Sequence, residues 1–461
     1  MDGRPLDAAS LTVEDANLQG ATVFVRGIAG DKVMEIDLDA DVTAGTLKRR
    51  LFRLHGVPLF RQRLLVGTRE LVDSESLCHL GVLVEVQLVR LPFDEQASAR
   101  LLQHAMFSAT APVIEGDLRA GACPDVARSE DGSTPLIMAA VWGHLPVAQV
   151  LVEAAAELDK AMEDGMTALF VAVQNDHLEL VRYLCEARAS VDLLTREGAT
   201  TLLVASENGG EELIRYLYDA RGDVNKPTNE GATPLLVAAA AGNAGAVAGL
   251  CAVGAEVEVA LSDGTTPLFA ASQAGALDAV ARLCEARAAV DTPKASGATP
   301  LLMAAQQGCA DVAGYLAEAR ADVGRAKDDG ATPLLVAAQH GHLEVARLLL
   351  AAGAGRRHGG AGPLLAAAQS GHLSVARHLL EDGGCGGGPN AALADGCTPL
   401  IAAARFGHVE VCRLLLLHGA SREAEVWGNA VIGSDGTAAE VARFRGRGEL
   451  ADLLEPESDA L

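Results

Sequence analysis

The chain has 461 residues, a formal charge of -24 at pH 7, 49% apolar residues and only 3% aromatics. That apolar content excludes global disorder. The acidic balance excludes duplex nucleic acid as the main partner, because no domain-wide basic field exists. The length suits two to four domains or one repeat array.

Residues 1–20 lack a basic start followed by an apolar run, so no secretory leader is expected there, and they read as a disordered extension. The stretch ATVFVRGIAGDKVMEIDLD alternates apolar and polar residues on both sides of Gly30-Asp31, which predicts a hairpin. Thr43 can cap a helix whose apolar positions Leu47, Leu51 and Leu54 share one face. After Gly56-Val57-Pro58 come a short strand, Arg63–Val66, and a last one, Val84–Leu91. The order ββαββ predicts a compact α+β sheet with one helix across it. The segments VFVRGIAGDK, GVPLFRQRLLVGTRELVD and VEVQLVRL resemble those of ubiquitin, which implies a ubiquitin-like β-grasp domain over 21–92. Leu91-Pro92-Phe93 stands where a terminal diglycine would be needed, so the resemblance implies docking and not conjugation. Strand alternation turns Leu64, Val86 and Leu88 inward and Leu65 and Val89 outward. With Ile28 on the hairpin loop, these last two match ubiquitin's recognition patch, and exposed apolar patches mark interfaces. A repeat domain or partner subunit covering the patch is the alternative.

Most of the remaining chain is periodic. A T-P-L-like triplet begins at Thr134, Thr167, Thr200, Thr233, Thr266, Thr299 and Thr332, each 33 residues after the last, and returns at Gly362 and Thr398. A degenerate copy starts at Thr437. Gly143, Asp176, Gly209, Gly242, Gly275, Gly308 and Gly341, then Gly371 and Gly407, keep the same phase. In one unit, Asp329-Gly330 signals a turn and Thr332 caps a helix with Pro333 at its first position. Leu334–Gln339 forms that helix, and Leu343–Leu350 forms a second with Val345, Leu348 and Leu349 on one apolar face. Neither helix buries its face alone, so units must stack.

Period, turn, triplet and helix pair resemble the ankyrin repeat, which implies an all-α solenoid. Nine units run over 133–434, with an irregular capping unit in 93–132, a closing one in 435–455 and an acidic tail, 456–461. Two features depart from the family pattern. The histidine after the triplet is replaced by Ile137, Leu203, Leu236, Phe269, Leu302 or Leu335, so its hydrogen bonds between units are expected to be absent. The glycine after the second helix is Arg188, Arg221, Arg287 or Arg320, each two residues after a carboxylate that could pair with it.

Chemistry is not expected. His144, His177, His342, His372 and His408 recur once per unit, and units stacked roughly 10 Å apart cannot share a metal, so they read as helix-turn caps. Cys185, Cys251 and Cys284 share a column with Tyr218 that reads as buried and inert. GGCGGGPN at 383–390 lacks the Lys-Ser/Thr of a phosphate loop and reads as a flexible insertion, and Arg356-Arg357-His358 as a solvated tip. Residues 231–255 hold no charged residue, yet Pro234, Asn243 and five glycines interrupt them, which argues against a membrane span. No cofactor, metal or catalytic residue is assigned. The ankyrin resemblance puts the residues before each Gly-His break on the inner, concave face: Trp142, Asn175, Asn208, Gln307, His340 and Phe406 are the candidate contacts. The expected function is a cytoplasmic or nuclear adaptor. Its array binds a protein client, and its ubiquitin-like domain docks on ubiquitin-binding receptors, the proteasome among them. A structural scaffold capped by the N-terminal domain is the alternative, and a ubiquitin-pathway enzyme subunit a third.

Overall fold

The computed structural model describes residues 9–14, 21–27, 32–38, 43–45, 47–48, 62–66, 69–71, 86–90, 93–107, 110–355, 362–382, 388–426 and 436–455. Ile28, the Gly30-Asp31 turn, Leu51, Leu54, the Arg356–His358 run, most of the glycine-rich insertion and the acidic tail lie outside these residues. Two compact units divide the chain: residues 1–204 with 220–222, and residues 205–219 with 223–461.

The first unit opens with strands β1 (Ala9–Glu14), β2 (Ala21–Gly27), β3 (Lys32–Leu38), β4 (Gln62–Val66), β5 (Arg69–Glu70) and β6 (Val86–Arg90). The β2–β3 hairpin is antiparallel, as the alternation predicts. The helix expected from Thr43 is present at the described residues, with Leu47 N–H donating to Thr43 O at 3.0 Å and the Leu47 side chain fully buried. The sheet order, β3-β2-β1-β6-β4-β5, differs from the four-strand layout expected over 21–92. Residues 9–14, read from sequence as part of a disordered extension, form β1. It pairs along β2 with Leu11 opposite Val25 and Val13 opposite Val23. It also reaches β6 at Ala9↔Leu88, while β2 and β6 meet in parallel at Arg26↔Gln87. The reason is one of scale. Three alternating apolar residues, Ala9, Leu11 and Val13, one of them with only a methyl to bury, are a short pattern, and only the fold supplies the backbone edges that satisfy it.

Eleven helix pairs follow among the described residues, from Glu95–Met106 with Ala111–Arg119 to Ala438–Phe444 with Gly448–Leu454. Their starts are built alike. Thr134, Thr167, Thr233, Thr266, Thr299, Thr332 and Thr398 each hold the β-region N-cap conformation. Each hydroxyl accepts the backbone N–H three residues on, at 3.2–3.4 Å. Such a cap contributes about 1 kcal/mol, and here most of the threonines are buried, so the bond also satisfies a polar group the core would otherwise penalise. Thr437 forms a full capping box with Glu440.

In the first helices a leucine is followed by two fully buried alanines, as at Leu334, Ala337 and Ala338 or Leu301, Ala304 and Ala305. The small pair permits close packing of first helices from successive units. In the second helix Leu343–Ala351 the buried residues are Val345, Ala346, Leu349 and Leu350. Leu348, expected on the apolar face, is 39% exposed. The buried stripe is wide because it meets both its own first helix and the neighbouring second helices, which rotates Leu348 outward. Residues 231–255 split into Pro234–Ala240 and Ala244–Ala252, and among the described residues no helix is long and apolar enough to cross a membrane.

Candidate protein-docking face

Because the threonine cap sets where each first helix starts and the alanine pair sets how deep it sits, the helix's last residues emerge from the core. In the first unit Trp142 ends helix Pro135–Trp142 at 55% exposure, and Asn175 follows Ala168–Gln174, exposed. In the second unit Asn208, Gln307, His340 and Phe406 take the same place, all exposed. Several of these side chains turn a donor back on their own helix. Asn175 Nδ2 donates to Val171 O at 2.9 Å, and His340 Nδ1 bonds Val336 O at 2.9 Å. A carbonyl only accepts, so that His340 nitrogen carries a proton. The face presents amide, imidazole and aromatic groups at the helix ends.

The histidines next to this face were expected as helix-turn caps, but His144, His177, His342 and His408 stand at the N-cap position without a side-chain capping bond. His177 Nε2 bonds Val141 O at 3.2 Å within the first unit. In the second, His342 bonds Gln306 O, His372 bonds Gln339 O and His408 bonds Gln369 O, each at 3.1 Å. Each ring reaches back to the preceding first helix, so hydrogen bonds between repeats are present after all, made from the Gly-His break and not from the triplet. Asn243 does the same work without a ring, Nδ2 lying 2.7 Å from Gly209 O. The signal was in the sequence: a histidine at the break, directly after glycine at His342, His372 and His408 and after Asp176 at His177.

A second ladder, unforeseen from sequence, runs along the connecting loops. Asp125 accepts from Glu157 N–H and Asp159 from Ser190 N–H, both at 2.8 Å. Further on, Asn225 serves Glu256, Glu258 serves Ala289 and Asn390 serves Ser421. Asp125 is consequently partly buried, and desolvation raises its carboxyl above the ordinary value against the lowering effect of the Glu157 N–H.

Cys185, Cys251 and Cys284 are half-buried and Tyr218 is 44% exposed, so the column is shallower than expected. Burial still pushes the thiols up, Cys185 to about 11, which keeps them protonated at neutral pH. Among the described residues no group of three or more His, Cys, Asp or Glu is placed to hold a metal ion. Near the N-terminal sheet, Leu64 is fully buried and Leu65 half-exposed, as alternation predicts, and Leu65 pairs with Gln87 while Arg63 pairs with Val89. Positions 65 and 89 thus share one face by register.

A family model described as ankyrin repeats, three copies, matches residues 117–194, 187–260, 250–327, 277–359, 319–391 and 364–457. Among solved structures, the crystal structure of the human ASB11 ankyrin repeat domain is 29% identical, covering 49% of this chain and 100% of that one at a TM-score of 0.44. No curated protein matches.

Proposed function

Since this chain belongs to the ankyrin-repeat family, we propose that it is a non-catalytic adaptor with two docking parts. Ankyrin repeats bind protein partners, and the client of this array is held across the ends of its first helices. Trp142 and Asn175 serve in one unit, and Asn208, Gln307, His340 and Phe406 in the other. The observation that carries this reading is that the first-helix ends, aromatic or amide-rich, are exposed in each unit. Trp is enriched at interface hot spots.

The second part is the N-terminal region, read as a ubiquitin-like domain over 21–92 that docks through Ile28, Leu65 and Val89 on ubiquitin-binding receptors, the proteasome among them. The segment resemblance and the shared face of positions 65 and 89 support it. The remaining boundaries follow the same reading: a capping unit in 93–132, nine repeats in 133–434 and a closing cap in 435–455, in a cytoplasmic or nuclear protein. The test uses the full chain on a panel of immobilised ubiquitin-binding modules. Wild type is retained, and Leu65→Ala is lost by about tenfold or more in affinity with its melting temperature unchanged, because a half-exposed side chain contributes little to the core. Retention of wild type by no module on the panel rejects the docking part and leaves a scaffold.

A further inference from the structure

Two large aromatics stand uncovered at the ends of successive first helices. Phe107 caps Glu95–Met106 at 77% exposure, Trp142 ends Pro135–Trp142, and the two helices pack on each other. Among the described residues neither ring meets a cation, a second ring or a hydrogen-bond partner. The next turn adds a carboxylate. His177 Nε2 bonds Val141 O, and its ring fills the space a β-carbon at Gly143 would need, so the Asp176-His177 break lies directly against the end of the Trp142 helix. Asp176 holds φ of +58° where other breaks hold left-handed glycines such as Gly143 and Gly275. Aspartate tolerates that conformation by bonding locally through its side chain. Here the carboxylate is exposed and makes no bond among the described residues. Cations along this stretch are already engaged: Arg128 pairs with Glu130 and Asp131, Arg182 with Glu179, and Lys160 Nζ donates to Asp125 O. Residues 128–204 carry twelve carboxylates against five lysines and arginines.

We propose that this patch docks a basic protein segment in which an arginine stands about three residues from a large apolar side chain. A guanidinium lies flat on an indole face and pairs at its edge with a carboxylate, so Trp142 and Asp176 together take the arginine. Phe107 takes the apolar side chain. Stacked helices sit roughly 10 Å apart, which an extended segment crosses in about three residues. Other occupants fit worse. An acidic segment or a nucleic acid meets the surplus carboxylates as like charge, and a purely apolar segment would desolvate Asp176 without pairing it. The proposal rests on the adaptor reading and gives the Trp142 end of its docking face a partner chemistry.

The experiment is fluorescence anisotropy of the full chain with a labelled peptide repeating Leu-Ser-Ser-Arg. One control peptide has Glu for Arg, and a second has Ser for Leu, which keeps the charge and removes the apolar anchor. Tightest binding of the Leu-Ser-Ser-Arg peptide is expected. Its affinity falls by about tenfold or more in Trp142→Ala, less in Trp142→Phe, and about threefold or more in Asp176→Gly. Glycine is the residue the other breaks hold, so Asp176→Gly melts no lower than wild type and carries the test if Trp142→Ala loosens its helix. Equal binding of the Glu peptide makes the patch a plain apolar contact, and equal binding of the Ser peptide makes it a response to net charge; either overturns the proposal. So does unchanged affinity in both Trp142→Ala and Asp176→Gly. A chain that holds a protein client but binds no Leu-Ser-Ser-Arg peptide loses this assignment and keeps the adaptor function. Specific peptide binding with no client held on the array does the reverse.

Discussion

Arg188, Arg221, Arg287 and Arg320 take φ of +74°, +72°, +67° and +69°, the left-handed conformation that Gly254, Gly353 and Gly419 hold in other units. The expected carboxylate pairing does not form. Among the described residues none of the four arginines makes an ion pair, and Glu285 instead pairs with Arg282 at 3.0 Å. An L-residue costs about 1 kcal/mol or more there, while glycine loses more chain entropy on folding, about 0.5–1 kcal/mol. Arg→Gly at each position should therefore lie between neutral and about 1 kcal/mol stabilising. Chemical denaturation of the single variants checks this, and a clear loss at any site would expose a contact the geometry does not contain. The break glycines behave oppositely. A β-carbon at Gly341, where φ is +79°, would stand 2.5 Å from His372 Nδ1. Gly341→Ala should cost about 2 kcal/mol or more, adding left-handed strain to loss of the His372 bond. In His372→Ala the same substitution should cost less, which a double-mutant cycle measures.

Between elements, successive loops are tied by bonds that no single helix could predict. Asp263 shows the pattern. Its carboxylate meets Lys294 Nζ at 2.7 Å and accepts from Thr265 N–H and Oγ1, and its carbonyl accepts from Ala295 N–H at 2.8 Å. The Lys294 hydrogen bond leads in holding the Asp263 carboxyl down, to about 2, with the Thr265 bonds next. The folded value lies below the unfolded one, so the contribution is complete above the ordinary carboxylate range and fades as pH falls toward 2. The group is solvent-facing, which keeps the effect small. The difference in urea midpoint between wild type and Asp263→Asn should be present at pH 7 and gone near pH 2. A difference that persists there would assign the stabilisation to something other than the ionised carboxylate.

For the molecule as a whole, stacking makes each helix pair dependent on its neighbours. Helix Pro399–Phe406 packs on Ala438–Phe444, whose buried side chains include Val441 and Ala442, with Leu450 and Leu454 contributed by the last helix. Deleting residues 436–461 leaves the apolar side of the preceding pair, including Leu400 and Ile401, without that cover. Light scattering and a thermal scan should show aggregation or a lower, broader transition. An unchanged transition and unchanged solubility would mean that the last pair is an appendage and not a cap.

The sequence by itself determined the repeat architecture. The threonine, proline and glycine positions act through local forces, hydroxyl to amide and backbone sign of φ, that need no distant partner, so a period of 33 residues was enough to place the helix pairs. The ends of the first helices were legible for the same reason, by counting from a fixed cap. Tertiary structure decided the rest. Which atom His342 or Asp125 bonds depends on a residue some thirty positions away whose distance only stacking sets. Leu348 turned outward because burial follows two neighbours at once, not one helix's period. Strand β1 formed because an edge existed to pair with, and a hydrogen-bonding edge is a property of the folded sheet, not of the six residues that join it.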